Sequence, residues 1–175
     1  MSGRHLVLVG MMGSGKSSVG RRCAERLGRP LVDTDELVEA TAGATVAELF
    51  GSVGEAGFRD LERAAVADVA RSPEPLVVSC GGGAVLDPVN RRRLRDAGFV
   101  VWLHAPPEVL AGRVGGGSAR PLLAGGEPPL ATLERLAALR AAAYAATAHT
   151  RVETADRTVD EVTDAVLEVF PPCDG

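Results

Sequence analysis

The chain is 175 residues long, 46% apolar, 3% aromatic and carries a net charge of −4. It is long enough for one domain with a full core of Val, Leu and Ala, and too acidic overall to offer nucleic acid a basic face. Its three cysteines, Cys23, Cys80 and Cys173, have neither paired nor metal-type spacing, so reduced thiols in a cytoplasmic protein are expected; no run approaches the roughly 18 apolar residues of a membrane span, and the first apolar run is too short for a secretion signal.

Leu6-Val7-Leu8-Val9 reads as a buried strand. It runs into Gly10-Met11-Met12-Gly13-Ser14-Gly15-Lys16-Ser17, which matches G-x-x-x-x-G-K-[ST], and a helical pattern from Ser18 to Leu27 follows. Strand, glycine-rich turn and helix in that order make a phosphate cradle. The glycines let successive N–H groups turn toward one anion, and the helix presents its positive end. Gly13, Ser14, Gly15, Lys16, Ser17 and Ser18 are the nucleotide-binding candidates, with Lys16 reaching the β- and γ-phosphates and the Ser17 hydroxyl a ligand for Mg²⁺. Lys16 is the only lysine in a chain that otherwise uses arginine, which marks a position that needs a compact point charge.

Gly28 and Pro30 end the first helix, and Leu31-Val32 is a short strand emptying into Asp33-Thr34-Asp35. Thr45 to Glu48 and Ser52 to Glu55 both have capping-box form, the second opening a helix with Phe58, Leu61, Ala65, Val66 and Val69 at helical spacing. Leu76 to Cys80 is a strand buried on both faces and leads to Gly81-Gly82-Gly83. Asp87-Pro88 starts a helix that carries the one basic cluster, Arg91-Arg92-Arg93 with Arg95, expected to be a solvated face. Phe99 to Leu103 is the next strand, and Pro106-Pro107 open a helix to about Gly112. Residues 112–129, rich in Gly and Pro around Arg120-Pro121-Leu122-Leu123, have the composition of a mobile lid. A long helix from about Leu130 to Thr147, a strand from Thr150 to Thr154 and a helix opened by the capping box Thr158 to Glu161 complete the chain, and the tail 171–175 is expected to fray. Five strands alternating with helices predict an α/β domain with a parallel sheet covered on both faces.

The acceptor-side candidates are scattered. Asp33 and Asp35 at i and i+2 would lie on one side of an extended segment, one serving Mg²⁺ through water and one a substrate hydroxyl, or either would simply cap the next helix. Arg59 and Glu62 form either a surface ion pair or a fork held toward an anion. Gly81 to Gly83 is either a tight turn or a wall stripped of side chains. Arg120 is either a surface arginine or a cis arginine over the transferred phosphoryl group. Arg140, among alanines with no acid nearby in sequence, is a candidate to point inward. GTP reading by N-K-x-D is excluded by the single lysine, so ATP is the expected donor.

These elements, in this order and spacing, resemble the shikimate kinase family: the phosphate loop, Asp33-Thr34-Asp35, Gly54-Glu55 with Phe58-Arg59 and Glu62, Gly81-Gly82-Gly83-Ala84-Val85, Arg120-Pro121-Leu122-Leu123, and Arg140 four residues before Tyr144. The resemblance implies a three-layer P-loop fold like the nucleoside-monophosphate kinases, with a five-stranded parallel sheet, one domain over 1–175, a substrate-binding region at 33–62 and a lid at 112–129. It implies phosphoryl transfer from ATP, with Mg²⁺, to the 3-hydroxyl of shikimate in the pathway to aromatic amino acids. By the same resemblance Asp35, Arg59, Gly82 and Arg140 contact shikimate, Ser17 and Asp33 serve the metal, Lys16, Asp35 and Arg120 carry catalysis, and Arg113, Arg120 and Arg157 contact ATP. Small-molecule partners, no nucleic acid, no membrane and a monomer are expected. Another small-acceptor kinase of this fold, acting on gluconate or a nucleoside monophosphate, and a nucleotide-binding module without turnover remain as alternatives.

Overall fold

The computed structural model describes residues 4–114 and 126–172. Five parallel strands form one sheet in the order β2-β3-β1-β4-β5: β1 (His5–Val9), β2 (Leu31–Asp33), β3 (Val77–Ser79), β4 (Gly98–His104) and β5 (Thr150–Glu153). The helices are α1 (Lys16–Leu27), α2 (Thr34–Ala42), α3 (Val46–Ala70), α4 (Pro88–Ala97), α5 (Pro107–Val114), α6 (Pro129–Thr147) and α7 (Val159–Val169), with a 3₁₀ turn at Ala84–Leu86.

Strand β1 is central, in register with both β3 (Leu6 opposite Val77) and β4 (Leu6 opposite Phe99). A strand flanked on both edges and covered on both faces needs apolar residues at every position, and β1 is buried throughout. Its period-two alternation feeds two apolar layers. Val7 and Val9 join Val78, Val100, Leu94 and Leu133 on one face, while Leu6 and Leu8 join Val19, Val101, Val162 and Val166 against α1 and α7 on the other. His5 is tolerated in this setting because both ring nitrogens are used. Nδ1 accepts from the Leu76 amide at 3.1 Å, so Nε2 carries the proton and donates to the Val69 carbonyl at 3.1 Å.

The element order matches the sequence expectations, and the differences have local causes. The strand expected at 76–80 is regular only over Val77–Ser79, although the Cys80 amide still bonds the Leu8 carbonyl at 3.0 Å. The capping boxes at Thr45 and Thr158 form; the one expected at Ser52 does not. Gly54 (φ 71°, ψ 179°) breaks the helix there by itself. The Ser52 hydroxyl bonds back to the Leu49 carbonyl, and Glu55 is engaged by Arg59 at 3.2 Å instead of capping.

The basic cluster on α4 is not simply solvated. Arg91 donates to the carbonyls of Val85 and Leu86 at 2.8 and 3.2 Å, bracing the segment after the triple glycine. Arg95 donates to Ala146, Thr147 and Ala148, capping the carboxyl end of α6, whose last turn has no basic residue of its own. Arg92 alone fits the expectation of an exposed side chain, with no contact of this kind among the described residues. The stretch read as a lid at 112–129 is helical at its described ends, since α5 runs to Val114 and α6 begins at Pro129. Arg120 and Gly115-Gly116-Gly117 fall in 115–125, outside the described residues, as does Cys173.

Candidate active site

The carboxyl ends of β1, β2 and β3 empty onto one cleft of about 880 Å³, the place where an open parallel sheet gathers its loops. One end of the cleft is built mainly of backbone. Gly13 and Gly15 hold φ of 79° and 95°, conformations a side chain would strain, and these turn the chain straight into α1. The helix starts at Lys16, two residues earlier than expected, and its amino end has no side-chain cap. Its first N–H groups therefore face the cleft as an anion site reinforced by the helix dipole. Lys16 Nζ donates to the carbonyls of Gly10 and Met11 at 2.8 and 2.9 Å, which hold the ammonium across the loop.

Ser17 Oγ lies 3.3 Å from Asp33 Oδ2. The other oxygen of Asp33 accepts from the Asp35 amide at 2.9 Å and the Glu36 amide at 3.4 Å, so Asp33 both caps α2 and faces Ser17. The extended i, i+2 arrangement expected of Asp33 and Asp35 is not what brings them together. The strand ends at Asp33 and the helix begins at Thr34, so Asp35 enters the cleft from the first turn of α2.

The other end of the cleft is built of charged side chains packed against glycines. A Cβ on Gly81 would lie 2.5 Å from Asp35 Oδ1 and 2.9 Å from Glu62 Oε1; on Gly82, 3.0 Å from Arg140 Nη1; on Gly83, 2.5 Å from both Arg59 terminal nitrogens. The triple glycine is thus more than a turn. Between them the three residues make room for the four groups that converge there, Asp35, Glu62, Arg140 and Arg59. Thr34 Oγ1 accepts from the Gly81 amide at 2.9 Å, and the Tyr144 hydroxyl donates to the Gly82 carbonyl at 2.6 Å, which pins the segment at both ends.

Arg59 and Glu62 are not a surface pair. Glu62 is 2% exposed and accepts from Arg59 Nη1 at 2.9 Å, while Arg59 Nη2 reaches Glu55 at 3.2 Å. Arg140 is also 2% exposed, lines the cleft, and leaves its Nε without a hydrogen-bond partner among the described residues. A buried guanidinium with an unused donor is a ready site for an anionic oxygen.

Burial dominates the protonation of this half. It raises Asp35 above the usual carboxylate range, with the neighbouring Asp33 charge pushing the same way and Lys16 and Arg59 opposing. It raises Glu62 too, against the pull of Arg59. The same burial pushes the Cys80 thiol up, so this residue beside the triple glycine is held as the protonated thiol.

Of the adenine-side candidates, Arg113 donates to Thr154 Oγ1 at 2.9 Å, to the Thr154 carbonyl at 2.7 Å and to the Gly13 carbonyl at 3.2 Å, tying the phosphate loop to the end of β5. Arg157 lines the same cleft, near Thr158, Val159 and Val162. Sequence reading missed the roles of Thr34, Thr154 and Tyr144 and the apolar wall of Val46, Phe50 and Phe58. Phe50 and Phe58 meet as a ring pair at 4.7 Å across the break at Gly54, a contact the linear sequence does not show; the three polar residues carried no signal beyond their neighbours in the motifs.

Comparison with known proteins bears on this cleft. A family model described as shikimate kinase matches residues 12–171. A shikimate kinase of Symbiobacterium thermophilum is 51% identical over 166 residues, covering 94% of each chain. One from Rhodopirellula baltica is 37% identical over 96% of this chain and 91% of its own. Among solved structures, shikimate kinase from Acinetobacter baumannii in complex with shikimate superposes with a TM-score of 0.91 at 36% identity, over 95% of this chain and 92% of that one. A gluconokinase from Sinorhizobium meliloti, at 24% identity and a TM-score of 0.59, shares the fold alone.

Proposed function

The chain belongs to the shikimate kinase family and is an ATP-dependent kinase of shikimate, and we propose that the cleft divides this reaction between a backbone-built donor half and a charge-built acceptor half. The observation that carries the reading is the convergence of Arg59, Arg140 and Asp35 on Gly81 to Gly83, beside the uncapped amino end of α1. Shikimate has one carboxylate and three hydroxyls. Two arginine forks and one aspartate are the complement of that set.

In this reading the amides from Gly13 to Ser18 and the Lys16 ammonium bind the phosphates of ATP. Arg113 and Arg157 lie on the adenine side, and Arg120, outside the described residues, is assigned to the transferred group by the family resemblance. Arg59 and Arg140 hold the acceptor carboxylate, with Gly82 allowing close approach, and Asp35 accepts a hydrogen bond from the 3-hydroxyl. The raised proton affinity of Asp35 suits it to receive that proton as the oxygen–phosphorus bond forms. In a loose phosphoryl-transfer transition state, position matters more than base strength, so its main contribution is orientation.

Ser17 and Asp33 offer a hydroxyl and a carboxylate 3.3 Å apart, hard oxygen donors that fit a magnesium ion keeping most of its waters. Ser17 would bind it directly and Asp33 through water, and the bound ion neutralises phosphate charge. The reading treats the chain as a single domain, with 33–62 as its acceptor region, acting as a monomer. The use of ATP and the buried free thiols Cys23 and Cys80 support a cytoplasmic setting.

A coupled assay offering shikimate, gluconate and nucleoside monophosphates in turn tests the acceptor. Turnover of shikimate alone is expected; turnover of gluconate without shikimate overturns the reading.

A further inference from the structure

The Tyr144 hydroxyl sits where three parts of the cleft meet. It donates to the Gly82 carbonyl at 2.6 Å and lies beside the Arg140 guanidinium, carried one helical turn earlier on α6. A Cβ on Gly82 would lie 3.0 Å from Arg140 Nη1, 3.7 Å from the Tyr144 oxygen and 3.6 Å from the Gly10 carbonyl of the phosphate loop. The phenol ring cannot drift from this point. It is 1% exposed and stacks on Trp102 of β4, with centroids 5.5 Å apart and planes 28° from parallel. Trp102 is covered in turn by the Arg151 guanidinium, 5.5 Å from its ring centre.

Packing alone does not explain the hydroxyl. A phenylalanine would fill the same space against Trp102, yet the hydroxyl donates to the Gly82 carbonyl. Burial pushes the phenol up to about 12, so it remains a donor throughout the physiological range. Arg140, by contrast, is a long buried side chain whose Nε has no partner among the described residues. Something must hold its plane before a carboxylate arrives, or binding loses the entropy of ordering it.

We propose that Tyr144 is a positioning residue for the acceptor, its hydroxyl fixing the Arg140 guanidinium against the Gly82 peptide so that the fork meets the substrate carboxylate already oriented. Tyr144 itself touches neither substrate in this arrangement; it acts through Arg140. The inference rests on the assignment of Arg140 to the acceptor carboxylate.

The test uses the full chain with Y144F, R140K and the double variant. Y144F is expected to raise the KM for shikimate, and its calorimetric Kd, about tenfold. The KM for ATP and kcat at saturation should stay within about twofold. Because Tyr144 works through Arg140, the double variant should bind shikimate no more than about twofold worse than R140K. A calorimetric stoichiometry near one per chain separates weaker binding from a partly unfolded preparation. An unchanged shikimate KM in Y144F, an equal rise for ATP, or multiplication of the two single effects in the double variant overturns the proposal. If R140K leaves shikimate binding unchanged, the assignment of Arg140 itself fails; if R140K weakens binding and Y144F does not, only the role of Tyr144 fails.

Discussion

The two halves of the cleft solve opposite problems. In the proposed division the phosphate end of the donor half is built mainly of backbone: glycine turns, helix N–H groups and one lysine held by the carbonyls of Gly10 and Met11. The acceptor half buries charged side chains, with Glu62 and Arg140 each 2% exposed and Asp35 and Glu62 both raised by burial. Backbone dipoles need no desolvation beyond that of the helix end. Buried carboxylates and guanidinium groups do, and they hold their places only because each is set against a glycine or another charge. The donor half is therefore folded into the sheet's own architecture, whereas the acceptor half is a local loss of stability kept for its chemistry.

The strongest test of the donor half is Lys16→Met. It should lower kcat by about 10³-fold, since it removes the one ammonium beside the transferred group. Shikimate binding, measured by calorimetry without nucleotide, should be little changed. Loss of shikimate binding as well would show that the two halves are not separable.

Next in size, Asp35→Asn should lower kcat by about 10²-fold and at the same time raise the denaturant midpoint at neutral pH. The sign follows from the direction of the shift. A carboxyl whose folded-state pKa is raised binds its proton more readily in the folded protein than in the unfolded chain. Its ionised form thus lowers stability above that pKa, and the penalty is relieved as the pH falls through it. Activity follows the opposite course, falling on the acid side at a pH above the ordinary carboxylate range, and the Asn variant should lose that acid limb. A lower midpoint for the variant would mean that Asp35 stabilises the fold.

Arg59→Ala and Arg140→Ala should each raise the KM for shikimate about 100-fold and leave that for ATP within about threefold. Equal losses for both substrates would erase the boundary between the halves.

The same small substitution should read differently in each half. A Cβ on Gly10 (φ 150°) would run into the Leu103 carbonyl, a backbone atom that cannot yield. Gly10→Ala should therefore destabilise the fold by more than about 2 kcal/mol. A Cβ on Gly83 would meet the terminal nitrogens of Arg59 at 2.5 Å, the far end of a flexible side chain. Gly83→Ala should keep its melting temperature within a few degrees while raising the shikimate KM about tenfold. Thermal melts beside steady-state kinetics distinguish the two.

The smallest effect lies outside the cleft. His5 is held neutral by burial, which lowers its pKa from 6.5, and its Nδ1 must accept from Leu76. The unfolded chain takes up this proton first, so the contribution of His5 is full above about pH 6.5 and is lost as the pH falls through the lowered value. His149, lowered by burial and accepting from the Val100 amide at 3.0 Å, acts in the same direction. A denaturant midpoint that declines below pH 6.5 is expected; replacing His5 with a residue that does not titrate should flatten the decline.

How much of each half was readable follows from the same contrast. The phosphate loop of the donor half occupies eight consecutive residues, Gly10 to Ser17, and every feature that matters there is a short-range backbone requirement, so its pattern survives intact in the linear chain. The acceptor half comes from four stretches: α2, α3, the segment after β3, and α6. Its residue types could be nominated, and the resemblance to a family joined them, but nothing local said that Glu62 is buried or that each glycine of the triplet faces a different charge. Arg91 and Arg95 show the same limit from the other side. Their run reads as a solvated face, because the carbonyls they cap belong to the segment after the triple glycine and to the end of α6, 51 to 53 residues away for Arg95.

The sequence by itself determined the alternation of strands and helices, the phosphate loop, the helix caps at Thr45, Asp87 and Thr158, and the candidates for the acceptor. Each of these depends on interactions within a few residues or on a period of two or 3.6. Only the tertiary structure decided that Asp35 faces Glu62 across Gly81, that Arg59 lies over Gly83, and that Tyr144 and Arg140 meet at Gly82. Those pairings depend on the order of strands in the sheet and on the packing of α2, α3 and α6 against it, which bring distant residues within hydrogen-bond reach and exclude the water that would otherwise solvate them.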